Sequence, residues 1–400
     1  MKLQKYQKCS EVTRGLEKAE LVLKNARIVN VFTREILKGD IAIEDGLISG
    51  IGSYEGKREI DLEGRYVCPG LIDSHLHLES TLVTPAELVT VAARHGTTTF
   101  IVDPHESANV SGLKGIDYIL NQTEDVEANV FVMMPSCVPA TAIDDNGCTI
   151  TAQDMVPYLG NRRILGLGEV MDYISVVNAD EAMHSKLDLF RERVRDGHAP
   201  FLAEADLQAY VMAGITTDHE CSDFDYAMQE RRCGMTVHIR EGSAARNLKA
   251  IVSGIVRHQM NGEGFCFCTD DKHLDTIENE GHISYNIKKS IQLGMNPISA
   301  VKMATYNAAK TYGLNDIGVL EEGKDADIVI LDSLESVEVH SVYKQGRIVN
   351  TEFFTKEAKP VNESMLHTVV LKNISKDKIQ VKAEGKIPVI GMIPGQIVTK

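Results

Sequence analysis

The feature that most constrains the fold is a repeated alternation of short apolar segments with amphipathic segments between about residues 66 and 312. Eight of the apolar segments have the length and composition of strands. They are YVCPGLIDSH, TTTFIVDPHE, NVFVMMPSCV, ILGLGEVM, RDGHAP, GITTDHE, MTVHIREG and GFCFCTDD, of which RDGHAP is the weakest. Strands that alternate with helices form a parallel sheet, and eight such units predict an α/β protein with a closed (β/α)8 barrel of the TIM type.

Shorter strand-like segments lie on both sides of this region. LVLKNARIVNV, DIAIEDGLISGIG and EIDLEGRYV precede it after a short helical lead-in, and KDADIVILD and SVEVHSVYKQGRIV follow it around residues 324–349. Their alternating polar and apolar residues and their Asp-Gly turns are typical of a small β unit. We therefore predict one β-sandwich built from residues 1–65 and 313–355, which flank a barrel of residues 66–312.

The composition limits the class of partner. The chain has 400 residues and a formal net charge of −15, and an acidic surface does not favour nucleic acid or anionic membranes. Its N-terminus lacks an apolar signal segment and no window approaches a membrane span, so we expect a cytoplasmic protein. The eight cysteines include no CxxC pair, which favours reduced thiols. A small neutral substrate fits this charge better than a polyanion.

Polar and ionisable residues end most of the candidate strands. The C-terminal ends of barrel strands meet at one face, where the active sites of such barrels lie. Residues that are far apart in the sequence are therefore expected to converge on one pocket. They are His75 and His77, Asp103 and His105, Glu169, His198, Asp218 and His219, Arg240 and Glu241, and Asp270 and Asp271.

These residue types predict a metal centre. His75 and His77 are one residue apart on an extended strand end, so both side chains project to the same face. Imidazole and carboxylate ligands suit Zn, Mn or Fe in a hydrolytic site. Glu169 lies in GLGEVM, where a carboxylate is costly to bury without a cation, although a salt bridge to an arginine is the alternative. We predict two ions bridged by Glu169, the first with His75, His77 and Asp270 and the second with His198 and His219.

Asp270 and Asp271 close the last strand as CTDD. Adjacent residues on a strand end point in different directions, so Asp270 is expected to contact metal and accept a proton while Asp271 faces the substrate. The alternative for either residue is a helix N-cap, which aspartate favours.

Two further pairs are candidate substrate-binding residues. His105 and Glu106, in DPHESANVSG, are predicted to lie in a loop over the pocket. Arg240 and Glu241, in REGSA, are either a substrate-contacting pair or a plain ion pair. The sequence alone does not decide between these two readings.

Seven segments together resemble the adenine deaminase family of the amidohydrolase superfamily. They are HLHLES (75–80), DPHESANVSG (103–112), GLGEVM (166–171), DGHAP (196–200), DHE (218–220), IREGSAA (239–245) and CTDD (268–271). The resemblance implies a distorted (β/α)8 barrel with a β-sandwich from both flanks, and hydrolysis of adenine to hypoxanthine and ammonia in purine salvage. It also implies a binuclear centre that holds manganese, with iron or zinc as alternatives. Many superfamily members bridge their metals with a carboxylated lysine, and this strand end has Glu169 instead.

Members of the family usually continue into a further domain, and the last residues here, IPVIGMIPGQIVTK, resemble its opening. We expect residues 356–400 to be the start of a shortened C-terminal domain that packs poorly or pairs with another chain. A homo-oligomer is left open. The alternative functions are a cyclic amide hydrolase of the same superfamily, an inactive truncated homologue, or a metal-free assembly protein on the same fold.

Overall fold

The computed structural model describes residues 1–141, 143–349, 359–361, 363–370, 372–396 and 399. Within these ranges no helix is long and apolar enough to cross a membrane. The strands are β1 (Ala19–Asn30), β2 (Glu35–Glu44), β3 (Leu47–Gly52), β4 (Gly56–Asp61), β5 (Tyr66–Pro69), β6 (Leu71–Leu76), β7 (Thr97–Val102), β8 (Asn129–Met134), β9 (Ile164–Val170), β10 (Val194–Gly197), β11 (Thr217–Asp218), β12 (Thr236–Arg240), β13 (Phe265–Cys268), β14 (Ile328–Leu331), β15 (Val339–Lys344) and β16 (Arg347–Ile348).

The helices lie mostly between these strands. They are α1 (Leu3–Thr13), α2 (Pro85–Arg94), α3 (His105–Ser111), α4 (Leu113–Gln122), α5 (Ala152–Met155), α6 (Tyr173–Val177), α7 (Glu181–Leu189), α8 (Glu204–Met212), α9 (Phe224–Arg232), α10 (Leu248–Arg257), α11 (Leu274–Glu280), α12 (Ile283–Gln292), α13 (Pro297–Met303) and α14 (Tyr306–Thr311). Short 3₁₀ helices occupy Glu79–Thr81, Val156–Gly160, Glu363–Met365 and Lys376–Lys378.

Strands β6 to β13 form the barrel. Five of them pair in parallel in the order β10-β9-β8-β7-β6, and three pair in parallel as β11-β12-β13. The Thr216 N–H donates to the Arg195 carbonyl at 3.1 Å, which joins β10 to the chain entering β11. The Asp270 N–H donates to the His75 carbonyl at 3.0 Å, which joins the end of β13 to β6. The predicted eight-stranded barrel is therefore confirmed, and it is least regular around β10 and β11.

The first candidate strand, Tyr66–His75, divides into two strands of different sheets. β5 pairs with the late strand β14, whereas β6 opens the barrel. Gly70 lies at the division, and a Cβ there would stand 2.1 Å from Thr98 Oγ1. Only glycine allows this close approach of the backbone to β7. The sequence pattern shows one continuous apolar run because both strands are buried.

Strands from both ends of the chain form one flanking sheet. Its order is β16-β15-β14-β5-β1-β2-β3, and β4 also pairs with β1. β14 runs antiparallel to β5, with Ile328 opposite Pro69, so the late β segment joins the early one as predicted. The predicted extension of this unit over residues 350–355 lies outside the described residues.

Helix α10 shows how the barrel positions its strand ends. Its buried residues Leu248, Ile251, Val252 and Ile255 follow the i, i+3, i+4, i+7 spacing of an amphipathic helix. They belong to the same apolar cluster as the outward residues of β12 and β13. Burial of each such side chain contributes about 1.5–3 kcal/mol. This packing fixes the two strands that end at Arg240 and Cys268.

The described part of segment 356–400 is largely exposed. Val381, Val389 and Ile390 are among its exposed apolar residues. One backbone contact reaches the barrel face, since the Arg246 N–H donates to the Gly395 carbonyl at 3.1 Å. The predicted shortened C-terminal domain includes residues 356–358, which lie outside the described residues.

Candidate metal centre

The six predicted metal ligands converge at one end of the barrel. His75 and Glu169 are the fifth residue of β6 and the sixth of β9, and the other ligands follow their strands directly or within one residue. Parallel strands place their C-terminal ends at the same face, so the barrel brings together side chains that are far apart in the chain. Several groups of three among these six place one ligand atom from each residue within 4.8 Å of the others. One group is His75, His77 and Glu169; a second is His75, His219 and Asp270; a third is Glu169, His198 and His219.

Four side chains surround one point. Glu169 Oε1 lies 3.0 Å from His75 Nε2 and 2.8 Å from His77 Nε2, and these two nitrogens are 3.2 Å apart. Asp270 Oδ1 lies 3.6 and 3.2 Å from the same two nitrogens. Ligands about 2.1 Å from one tetrahedral ion stand about 3.4 Å apart. The atoms therefore have the spacing that a shared ion imposes.

The second oxygen of Glu169 belongs to a second group. Oε2 lies 2.9 Å from His198 Nδ1 and 3.7 Å from His219 Nε2. The His219 ring also stacks on the His75 ring, with centroids 4.1 Å apart, so the two groups are adjacent. One carboxylate thus offers one oxygen to each group, which is the arrangement of a bridging ligand.

The electrostatics of the site favour a bound cation. Burial opposes ionisation of Glu169, but His219, His77 and His75 outweigh it and hold the pKa of that carboxyl well below its usual range. Burial also opposes charging of His75, yet Glu169 and Asp270 raise its pKa to about 10. Among the described residues Glu169 Oε1 accepts no hydrogen bond, although two imidazole nitrogens lie within 3.0 Å. The residues therefore fit metal ions, which would replace these protons.

Buried polar residues orient the ligands. His77 Nδ1 lies 2.8 Å from the Asp103 carbonyl, which leaves Nε2 facing the centre. Asp103 Oδ2 in turn accepts the Glu169 N–H at 2.8 Å. Asp73 accepts the Thr269 N–H at 3.1 Å beneath the last strand end. Such outer partners fix the tautomer and direction of metal ligands.

The backbone of Asp270 explains why the adjacent aspartates diverge. Asp270 has a φ of +57°, in the left-handed region that aspartate tolerates better than most residues. Its carbonyl also accepts the His77 N–H at 3.2 Å, so both of its backbone groups are tied to β6 and the residue after it. The turn aims the carboxylate at His75 and His77. The predicted N-cap alternative is wrong for both aspartates, because α11 begins at Leu274 with His273 as its cap.

Glu220 is a site residue that the sequence did not single out. Its Oε1 lies 3.3 Å from His219 Nε2 and 3.9 Å from His198 Nδ1, and the residue is buried. Asp218 Oδ2 accepts the Glu220 N–H at 2.7 Å and thereby bends the chain after β11 toward the centre. The position of Glu220 directly after His219, within the segment DHE, was the available signal.

Arg240 and Glu241 do not pair with each other, so the plain ion-pair alternative is wrong. Arg240 Nη1 donates to Asp270 Oδ2 at 2.8 Å and also contacts Glu220. Glu241 directly follows β12, and its Oε1 contacts Arg246 and Lys289 instead.

His105 and Glu106 start helix α3, which corrects the prediction of a loop. The helix begins directly after Pro104, which is its N-cap residue. His105 Nδ1 lies 3.8 Å from Glu169 Oε1, and Glu106 Oε2 lies 3.4 Å from His77 Nδ1. Both side chains therefore border the centre. Asp271 carries a buried oxygen, Oδ1, without a hydrogen-bond partner among the described residues.

Comparisons with known proteins show the family to which the chain belongs. Residues 66–349 match the sequence model of the Amidohydrolase family. The adenine deaminase of Desulfitobacterium hafniense is 56% identical over 387 residues, which cover 96% of this chain and 68% of that protein. The adenine deaminase of Geobacillus kaustophilus is 43% identical over 391 residues, 96% of this chain and 67% of that protein.

Solved structures share the fold. The crystal structure of an adenine deaminase has a TM-score of 0.62 at 19% identity, and the match covers 83% of this chain and 99% of that chain. A beta-aspartyl dipeptidase from Fervidobacterium islandicum has a TM-score of 0.62 at 17% identity, with 86% and 99% covered. At these identities the likeness concerns the fold alone.

Proposed function

Because this chain belongs to the amidohydrolase family, and within it to the adenine deaminases, we propose that it hydrolyses adenine to hypoxanthine and ammonia at the centre described above. The observation that carries the proposal is the 56% identity with an adenine deaminase over 96% of the chain. The product keeps the purine ring, so the reaction would serve purine salvage.

The donor set suits two divalent metal ions. His75, His77, Glu169 and Asp270 would hold the first ion, and Glu169, His198 and His219 the second. Imidazole and carboxylate donors without a thiolate fit manganese, with iron or zinc as alternatives. Two ions bound here would lower the pKa of a water molecule toward neutrality and supply the nucleophile.

The chain's own residues would move the protons. Asp270 accepts a proton as the water oxygen forms its bond to C6 of adenine. The C6–N6 bond then breaks, and Asp270 returns that proton to the departing amine, which leaves as ammonia. The second water proton ends on the purine product, so adenine and water balance hypoxanthine and ammonia.

Four buried polar atoms are candidates to bind the ring. Asp271 Oδ1, Glu241 Oε2, His105 Nδ1 and Glu106 Oε2 have no hydrogen-bond partner among the described residues. A bound adenine would satisfy some of them with its amino group and ring nitrogens. A base with a different pattern of donors would leave them unpaired, which is the strongest basis for discrimination by a polar site.

The test is a panel of rings assayed for ammonia release and, for the cyclic amide, for ring opening. The panel contains adenine, guanine, adenosine and hydantoin. We expect turnover of adenine and little of the others. Opening of hydantoin would instead support the cyclic amide alternative, and a fully metal-loaded chain that acts on none of them would be an inactive homologue.

A further inference from the structure

The guanidinium of Arg240 joins two carboxylates beside the metal centre. Nη1 donates to Asp270 Oδ2 at 2.8 Å and contacts Glu220 Oε1, while Nη2 lies 3.5 Å from Glu220 Oε2. The Arg240 side chain is only 3% exposed. Its contacts therefore lie within the protein, on the candidate ligand Asp270 and on Glu220, which borders the candidate ligand His219.

The two oxygens of Asp270 have different partners. Oδ1 is the atom 3.2 and 3.6 Å from the Nε2 atoms of His77 and His75, whereas Oδ2 is the atom bound by Arg240. The χ2 torsion of aspartate is broad and roughly two-fold, so the side chain alone does not distinguish its oxygens. A fixed donor on Oδ2 is what keeps Oδ1 directed at the centre.

Arg240 is itself held in place. It stands opposite Cys268 in the ladder between β12 and β13, and Cys268 precedes Asp270 by two residues. Its N–H donates to Asn247 Oδ1 at 2.7 Å, and Asn247 Nδ2 donates to the Cys221 carbonyl at 2.8 Å. The arginine is thus tied to the two strand ends that carry Asp270 and His219.

We propose that Arg240 is a positioning residue, which fixes Asp270 with Oδ1 toward the metal ions and keeps Oδ2 from binding them. This differs from the substrate contact considered for Arg240 from the sequence. The inference rests on the proposed function, because it assigns Arg240 its effect through Asp270. Glu220 completes the arrangement as the second carboxylate that orients the guanidinium.

Replacement of Arg240 should lower kcat more than it changes KM. In Arg240→Met nothing holds Oδ2, so Asp270 would bind metal through both oxygens and accept the proton poorly. We expect a loss of about 10–100-fold in kcat, the range known for outer partners of metal ligands, with the KM for adenine nearly unchanged and both ions retained. The kcat of Arg240→Lys should fall less, since the ammonium of lysine reaches one carboxylate but lacks the planar fork of a guanidinium.

A second readout does not depend on activity. When cobalt(II) replaces the native ions, its visible absorption weakens as the coordination number rises. We expect Arg240→Met to weaken this absorption relative to the unmodified chain, because Asp270 Oδ2 joins the ligands. Identical spectra would contradict the proposal.

Controls separate positioning from stability. Arg240→Met leaves a buried carboxylate without its partner, which can prevent folding. If it does not fold, Arg240→Met combined with Glu220→Gln is measured instead, because the double variant removes both charges. Arg163→Lys is the matched control, because Arg163 also binds two oxygens in partly buried hydrogen bonds, the carbonyls of Val130 and Leu120, away from the site. It should lower the melting temperature and leave kcat unchanged.

The outcomes discriminate between explanations. A raised KM with unchanged kcat would mean that Arg240 contacts substrate, and loss of metal in parallel with activity would mean that it only supports the fold. Either result overturns the proposal. If the unmodified chain fails to release ammonia from adenine, the proposed function fails instead, and the cobalt spectra still decide the orientation of Asp270.

Discussion

Replacement of Glu169 by glutamine should deplete the second metal ion. Glu169 offers Oε1 to the group with His75 and His77 and Oε2 to the group with His198 and His219. Glutamine has the same shape but only one carbonyl oxygen. In either orientation of the amide, one group loses an acceptor and faces an NH2 donor.

The loss of metal affinity follows from the number of ligands that remain in each group. The first group keeps three other ligands in either orientation, whereas the second keeps only His198 and His219 when the NH2 faces it, so the second ion is the one more easily lost. Loss of an outer partner of a metal ligand already costs 10–100-fold in metal affinity, so loss of a direct ligand should cost at least about 100-fold. That factor corresponds to about 2.7 kcal/mol. We therefore expect about one ion per chain after gel filtration in metal-free buffer, measured by inductively coupled plasma mass spectrometry.

Glu230→Gln is the matched control. Glu230 is equally buried, in α9, but lies outside the candidate ligand set. Burial, with a contribution from Asp218, raises the pKa of its carboxyl well above the usual value, so glutamine resembles the form already present. This variant should retain two ions. Two ions in Glu169→Gln under the same conditions would refute the bridging role.

Four further predictions test the same site. Asp270→Asn should keep the left-handed turn and reduce turnover by about 10²–10⁴-fold, the usual range for acid–base catalysis, and near-normal turnover in an ammonia assay would place the base elsewhere. Metal uptake should release protons and tighten as pH rises toward about 10, because Glu169 and Asp270 raise the pKa of His75 to about 10 against burial. Titration with Mn²⁺ at pH 6–9 checks this prediction, and an affinity independent of pH would contradict it. Adenine should be preferred to adenosine, because the chain resembles adenine deaminases, and to its phosphate, because the sequence also lacks a phosphate loop such as GxxxxGK[ST]. Comparable kcat/KM values would disprove this preference. Removal of residues 364–400 should leave metal content and melting temperature nearly unchanged, because every strand in the described part of the chain precedes residue 349. A large drop in either would show that the segment is integral to the fold.

The barrel and the convergence of the candidate ligands were predictable because both depend on local patterns. Each apolar run specifies a strand, and the polar residue that follows it must lie at the common face of a parallel barrel. His75, Glu169 and Asp270 could thus be assigned before any distance was known. The division of ligands between two ions stays a prediction, which the separate contacts of the two Glu169 oxygens support.

What the sequence did not predict depends on contacts between distant residues. The sequence shows that Arg240 and Glu241 are adjacent, but it does not identify Asp270 or Lys289 as their partners. The division of the first strand at Gly70 depends on its close approach to Thr98, and the role of Glu220 depends on how Asp218 turns the chain. None of these contacts leaves a periodic signal.

The most direct test of the central claim is hypoxanthine formation by the metal-free chain during titration with Mn²⁺. Absorbance spectroscopy can follow the conversion of adenine while bound metal is counted in the same sample. The account predicts that activity rises with metal content and saturates at two ions per chain. Full activity without metal, or no hypoxanthine from a chain that holds two ions, would contradict it.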